Sequence, residues 1–345
     1  MRDPKHKRND RPIDRFRNGG GGARVEGNVG PILTMFTIRD QRIYFICEHG
    51  LTSAQMADQI DPERINPAMP QVVQRPELAY GATTPFMQRT VCVAVELFNQ
   101  AHLPELVVRD DGLAKALDAA HALAEVQDAI TALAESEAET RRRIEAGEQQ
   151  RHVVPKTQNL KGRMEGCISS LRQVALHCQE LALMFHPRQN RNDRFTPHLR
   201  AALKVQLAAD DPLWPHVEWC FSQIERLFNY RNAMIHAEDD KRLVLMDYEL
   251  QADGVLVAPT IEVLHPATPL PRMDVGQFLN DALESVSLVF ETYVVGFCDR
   301  NARAVPGFRF MVAESEQDRR TGTRYYWHGE RLPRFPRNGP QPEAG

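Results

Sequence analysis

The stretch WPHVEWCFSQIERLFNYRNAMIH, residues 214–236, sets Trp214, Val217, Phe221, Ile224, Phe228, Arg231 and Ile235 at alternating intervals of three and four. That spacing is one face of an α-helix. Pro215 suits its first turn, where an N–H would have no partner in any case. The row is apolar except for Arg231, and a guanidinium is costly to desolvate unless an acid, a carbonyl or a ligand phosphate compensates it. Asn232 and His236 are four apart and project from one face near the end of the helix, within reach of the long Arg231 side chain.

Patterns on both sides of this helix extend the helical reading. Upstream, Met164, Ile168, Leu171, Ala175, Cys178, Ala182 and Phe185 alternate in the same way from Lys161 until Pro187 stops them, and a shorter helix is expected from His198 to Ala208. Downstream, two β-rich runs, Leu243–Leu250 and Val255–Leu264, flank a turn at Asp253-Gly254 and predict a hairpin over 243–264. Asp274 is placed to cap a last helix through Cys298, with Val275, Leu279, Ala282, Val286 and Val289 on its apolar face. Four such helices can close a bundle over residues 158–302.

The rest of the chain divides into four segments. Residues 1–30 are basic, carry Gly19–Gly22 in a row and have little to bury, so a disordered arm is expected. Residues 31–109 read as mainly helical, with an apolar run at Ile43–Ile46 and a faint helix-turn-helix echo over Gly50–Ile60 that Pro62, Pro67, Pro70 and Pro76 interrupt. Residues 110–150 contain no Pro, and Leu123, Val126, Ile130 and Leu133 predict a long connecting helix. Residues 318–345 interleave Arg324, Tyr325, Tyr326, Trp327 and Arg331 much as single-strand binders do, but Pro333, Pro336, Pro340 and Pro342 favour a disordered tail. The expected fold class is therefore mainly α.

Composition narrows the function. At 345 residues the chain is long enough for two domains. No apolar run approaches the roughly 20 residues that span a bilayer and the amino terminus lacks an apolar leader core, so no membrane partner and a cytoplasmic location are expected. The six cysteines, Cys47, Cys92, Cys167, Cys178, Cys220 and Cys298, are scattered without C-x-x-C spacing and read as reduced, buried thiols. Cys47-Glu48-His49 is the nearest approach to a ligand cluster, and it lacks a second half, so neither a metal nor another cofactor is expected. A net charge of −4 confines any nucleic-acid contact to a local patch.

The hexapeptide Arg231–His236 is where such a patch has chemistry. RNA cleavage without a metal requires a group to take the 2′-hydroxyl proton, another to protonate the leaving oxygen, and cations on the phosphate. His236 can serve as acid or base, Arg231 can fork a phosphate, and Asn232 supplies a positioning amide. Two copies across a two-fold axis would double these groups around one scissile bond. Spacing alone is weak evidence, because a chain rich in Arg with 12 His produces it about once by chance, and Arg172 and His177 repeat it within the Lys161 helix. The competing reading is structural: Arg231 pairs with Glu180 or Glu238, Asn232 braces a turn, and His236 caps its helix where the dipole favours it.

The R-N-x3-H pattern of Arg231, Asn232 and His236, at a helix end and followed by a hairpin and a closing helix, resembles that of HEPN domains. The resemblance covers about Lys161 to Arg300. It implies an α-helical bundle acting as a homodimeric, metal-independent endoribonuclease on single-stranded RNA, of the kind found in phage defence or beside an antitoxin protein. Some members are non-catalytic, which gives the alternative of a dimerising sensor that binds a protein or nucleotide. The family often adds an acid from an earlier helix; Glu180 and Glu165 are the candidates here, with Tyr230 beside the motif as a further supporting residue.

Overall fold

The computed structural model describes residues 11–19, 25, 27–39, 42–146, 153–187, 196–208, 210–316 and 321–332. The first ten residues, most of the glycine row, the end of the expected connecting helix and the last prolines lie outside them. A short helix α1 (Pro12–Asn18) opens the described chain within the segment expected to be a disordered arm. It is tied down by charge: the Arg17 guanidinium reaches Asp58 at 3.0 Å and Asp61 at 3.2 Å, and Arg64 reaches Asp14 at 3.1 Å.

Residues 31–78, expected to be mainly helical, form a sheet. Strands β1 (Ile32–Ile38), β2 (Arg42–Cys47), β3 (Leu51–Met56) and β4 (Val72–Leu78) make an antiparallel meander in that order, with the four-residue helix α2 (Ala57–Ile60) between β3 and β4. Alternation contributes, since Phe36, Tyr44 and Ile46 are buried while Met35 is exposed, and the Phe36 and Tyr44 rings stack at 5.0 Å. Pro76 is tolerated because β4 is the edge strand. The helix-turn-helix echo is thereby overturned, because Thr52 and Ser53 are buried strand residues rather than helix caps.

Next comes a broken helix: α3 (Pro85–Met87), a π-helical turn at Gln88–Cys92, and α4 (Val93–Leu97). Four longer helices follow: α5 (Arg109–Glu145), α6 (Leu160–Phe185), α7 (Thr196–Gln206) and α8 (Trp214–Ile235). Gly112 lets α5 approach closely, since a Cβ there would lie 2.7 Å from the Phe98 ring. The hairpin is present as β5 (Arg242–Met246) with β8 (Thr260–Leu264), extended by the short pair β6 (Glu249–Leu250) and β7 (Leu256–Val257). A further strand, β9 (Leu270–Asp274), adds to β8. Then α9 (Val275–Arg300) begins, its cap Asp274 accepting the Gln277 N–H at 2.8 Å.

The aromatic run expected in a disordered tail is instead a strand. β10 (Phe308–Glu314) pairs with β11 (Tyr325–Arg331), and the Trp327 indole N–H donates to the Leu97 carbonyl at 3.0 Å. Tyr325, Tyr326 and Trp327 are therefore half-buried in a hairpin packed on α4 and α9 rather than presented to a single strand.

The mainly α, four-helix-bundle expectation thus needs correction. Among the described residues 49% are helical and 21% lie in strands, arranged as four antiparallel sheets, so the fold is mixed α/β. One continuous apolar core runs from Phe36 to Cys298, with α6 packed on α5, α8 and α9. Among the described residues no helix is long and apolar enough to cross a membrane. All six thiols are buried, and burial pushes the Cys92 thiol up to about 12 and Cys167 up to about 11.

Candidate functional site

Helix α8 presents the hexapeptide differently from its sequence row. Val217, Phe221 and Ile224 are fully buried, but Phe228 and Arg231 are half-buried and Ile235 is 48% exposed. The cause is geometric: a repeat of seven residues falls about 20° short of whole turns of a straight helix, so over three heptads the row rotates by about 60°. The buried face passes instead to Leu227, Tyr230 and Ala233. Arg231 sits at the margin of the core rather than inside it.

Neither carboxylate suggested as a partner for Arg231 meets it. Glu180 binds Lys115 at 2.5 Å and contacts His177 at 3.3 Å, while Glu238 pairs with Lys241 at 3.4 Å. Among the described residues the Arg231 guanidinium has no ion pair or hydrogen bond. His236 ends the helix through its backbone, its N–H donating to the Asn232 carbonyl at 2.8 Å, and its ring is exposed without a partner among those residues. The Asn232 side chain is exposed as well.

A groove of about 520 Å³ opens beside this helix end, between α6, α7 and α8. Its apolar wall includes Leu176, Leu183 and Phe228, and its polar groups include Arg172, Gln173, Gln179, Glu180, Thr196 and Asn232. Arg172 lies over the Phe228 ring at 5.2 Å from the centroid. Gln179 is buried and donates to the Thr196 hydroxyl, and the buried His177 ring braces Gln173 and Glu180, each at 3.3 Å. Burial alone would raise the Glu180 carboxyl, but the hydrogen bond and charge of Lys115, aided by His177, hold it below its ordinary value. Glu180 and Leu183 also line a second hollow with Lys115, Asp111 and Arg39, so the two hollows share a wall.

Of the six residues singled out from sequence, Asn232 and Glu180 line this groove together; Arg231 and His236 do not. Tyr230 is buried on the opposite side of α8, where its hydroxyl accepts from Arg226 at 3.3 Å beside a small cavity near Phe278. Glu165 pairs with Lys161 at 3.9 Å and stands fifteen residues from Glu180, roughly 22 Å along a helix at about 1.5 Å per residue, too far to join it. Sequence reasoning ranked Arg172 below the hexapeptide and passed over Gln173, Gln179 and Thr196. The one available signal was the repeated Arg-x4-His spacing at Arg172 and His177, which marks the groove wall.

Among the described residues no three His, Cys, Asp or Glu side chains come together as a metal site. No family model, curated protein or solved structure matches the chain.

Proposed function

We propose that this protein is a metal-independent endoribonuclease that works as a homodimer, with Arg231, Asn232 and His236 as its reacting constellation. The observation that carries the reading is that three polar side chains at one helix end have no side-chain partner among the described residues, one of them a half-buried guanidinium without a counter-ion there. Such a charge is tolerable at the margin of a core, and it is stabilised further when a phosphate or a second subunit arrives. The likeness of the R-N-x3-H pattern to that of HEPN domains points the same way.

In the proposed reaction the 2′-oxygen attacks phosphorus as one His236 accepts its proton. The bond to the 5′-oxygen then breaks, and that oxygen takes a proton from the His236 of the second subunit. Arg231 holds the phosphate oxygens as charge accumulates, and Asn232 positions the linkage. A protein that restrains this activity in the cell, of antitoxin type, is the corresponding partner.

Incubating the protein with a single-stranded RNA and with its all-deoxy counterpart, both with EDTA, tests the chemistry. Products with cyclic 2′,3′-phosphate and 5′-hydroxyl ends from the RNA alone are expected. Absence of cleavage by the dimer, or equal cutting of both strands, overturns the reading. A second reading, a non-catalytic nucleotide-binding module, is favoured by one observation: Asn232 lines the groove while Arg231 and His236 do not. It predicts RNA or nucleotide binding with no cleavage.

A further inference from the structure

We propose that the groove across α6 holds the nucleotide of a single-stranded RNA that flanks the scissile linkage, with its phosphate on Arg172. This rests on the endoribonuclease reading only for the placement of the scissile bond; the groove itself is argued from its own residues. Arg172 has no carboxylate partner among the described residues, and its guanidinium carbon lies over the Phe228 ring, 5.2 Å from the centroid. A guanidinium held there can grip two oxygens of a phosphate, the geometry for which Arg is suited and Lys is not. Gln173, Gln179, Thr196 and Asn232 add neutral donors and acceptors that suit a ribose or a base edge.

The acids nearby leave that charge available. Glu180 is matched by Lys115 at 2.5 Å, and in the adjoining hollow Asp111 is matched by Arg39 at 3.0 Å, with Asp118 beside them. The volume of about 520 Å³ falls within the roughly 300–1,000 Å³ usual for ligand sites. Asn232 is the link to the reacting end, since it belongs both to the groove wall and to the hexapeptide. A strand seated on Arg172 therefore reaches Asn232, one turn before His236.

The test uses the full chain and a labelled 2′-O-methyl RNA decamer, which cannot be cleaved through a 2′-hydroxyl, with fluorescence anisotropy read at several salt concentrations. Arg172→Gln is expected to weaken binding by about tenfold, as loss of one charge-assisted contact does. It should also flatten the slope of log affinity against log salt by about 0.7. Arg172→Lys should restore part of the affinity, and Arg163→Gln, on the same helix outside the groove, should change nothing. Unchanged binding by Arg172→Gln with a native circular dichroism spectrum overturns the proposal, as does equal weakening by Arg163→Gln. The two readings fail separately. Cleavage of the corresponding RNA by the wild type together with normal binding by Arg172→Gln removes the groove alone, whereas weakened binding without any cleavage removes the activity alone. Failure of the wild type to bind the decamer overturns the groove proposal whatever the cleavage assay gives.

Discussion

The Arg172 guanidinium lies over the Phe228 ring, 5.2 Å from its centroid, and so joins α6 to α8 one turn before Asn232. An exposed or half-exposed cation–aromatic contact contributes about 0.5–1 kcal/mol. Its larger consequence is positional, because it holds a positive group with no carboxylate partner among the described residues on the wall of a groove that Asn232 also lines.

Phe228→Ala removes the platform. Stability should fall by about 1–2 kcal/mol, less than for a fully buried Phe because the ring is half-exposed. RNA affinity should fall with it, as Arg172 loses the ring it lies over. Denaturant titration and the decamer binding assay check the two effects separately.

Glu180 and Lys115 give a pH signature. The folded Glu180 carboxyl titrates below its ordinary 4.5, so its contribution to stability is present above that value and is lost as pH falls through the depressed folded value. With the Glu180 side chain about half exposed, the contribution is under about 1 kcal/mol. Urea midpoints of wild type and Glu180→Gln should differ at pH 7 and converge on acidification; a gap that persists at pH 3 contradicts the assignment.

Two glycines should respond in opposite directions to alanine. At Gly112 a Cβ would lie 2.7 Å from the Phe98 ring, inside a packed joint, and the substitution should cost about 1–3 kcal/mol. At Gly166, mid-helix in α6 with nothing within 4 Å of a Cβ, it should add up to about 1 kcal/mol. Thermal melts of the pair decide both.

The hairpin of β10 and β11 is a further structural test. If Trp327 is anchored through the Leu97 carbonyl, Trp327→Phe should cost about 0.5–1.5 kcal/mol. Amides of β10 and β11 should be protected in hydrogen exchange. Exchange at the rate of a free tail would contradict the pairing.

How legible was this in the sequence? Helices α5, α6, α8 and α9, the 243–264 hairpin and the Asp274 cap could all be read, because each is signalled by neighbours within one or two turns. The amino-terminal sheet was missed: Pro76 stands within one of its strands, and a strand is stabilised by pairing with another segment that its own residues do not reveal. Tyr325 to Arg331 failed for the same reason, since composition shows aromatics but not that Phe308–Glu314 will pair with them. At the candidate site the sequence offered Asn232 as a positioning amide and Glu180 as an acid, and the structure sets both on one groove wall beside Arg172, which the sequence showed only as a second copy of the Arg-x4-His spacing. The rotation of the α8 row, invisible in a pattern of threes and fours, moved Arg231 from the interior to its margin.

The most direct measurement is the single-turnover rate of single-stranded RNA cleavage, with EDTA present, by wild type, His236→Ala and Arg231→Ala, each shown to have the mass of a dimer. Loss of a general acid–base group is expected to lower the His236→Ala rate by about 10²–10⁴-fold, with Arg231→Ala similarly impaired and both variants folded. Equal rates for wild type and His236→Ala, or a wild type that is monomeric and inert, would contradict the account.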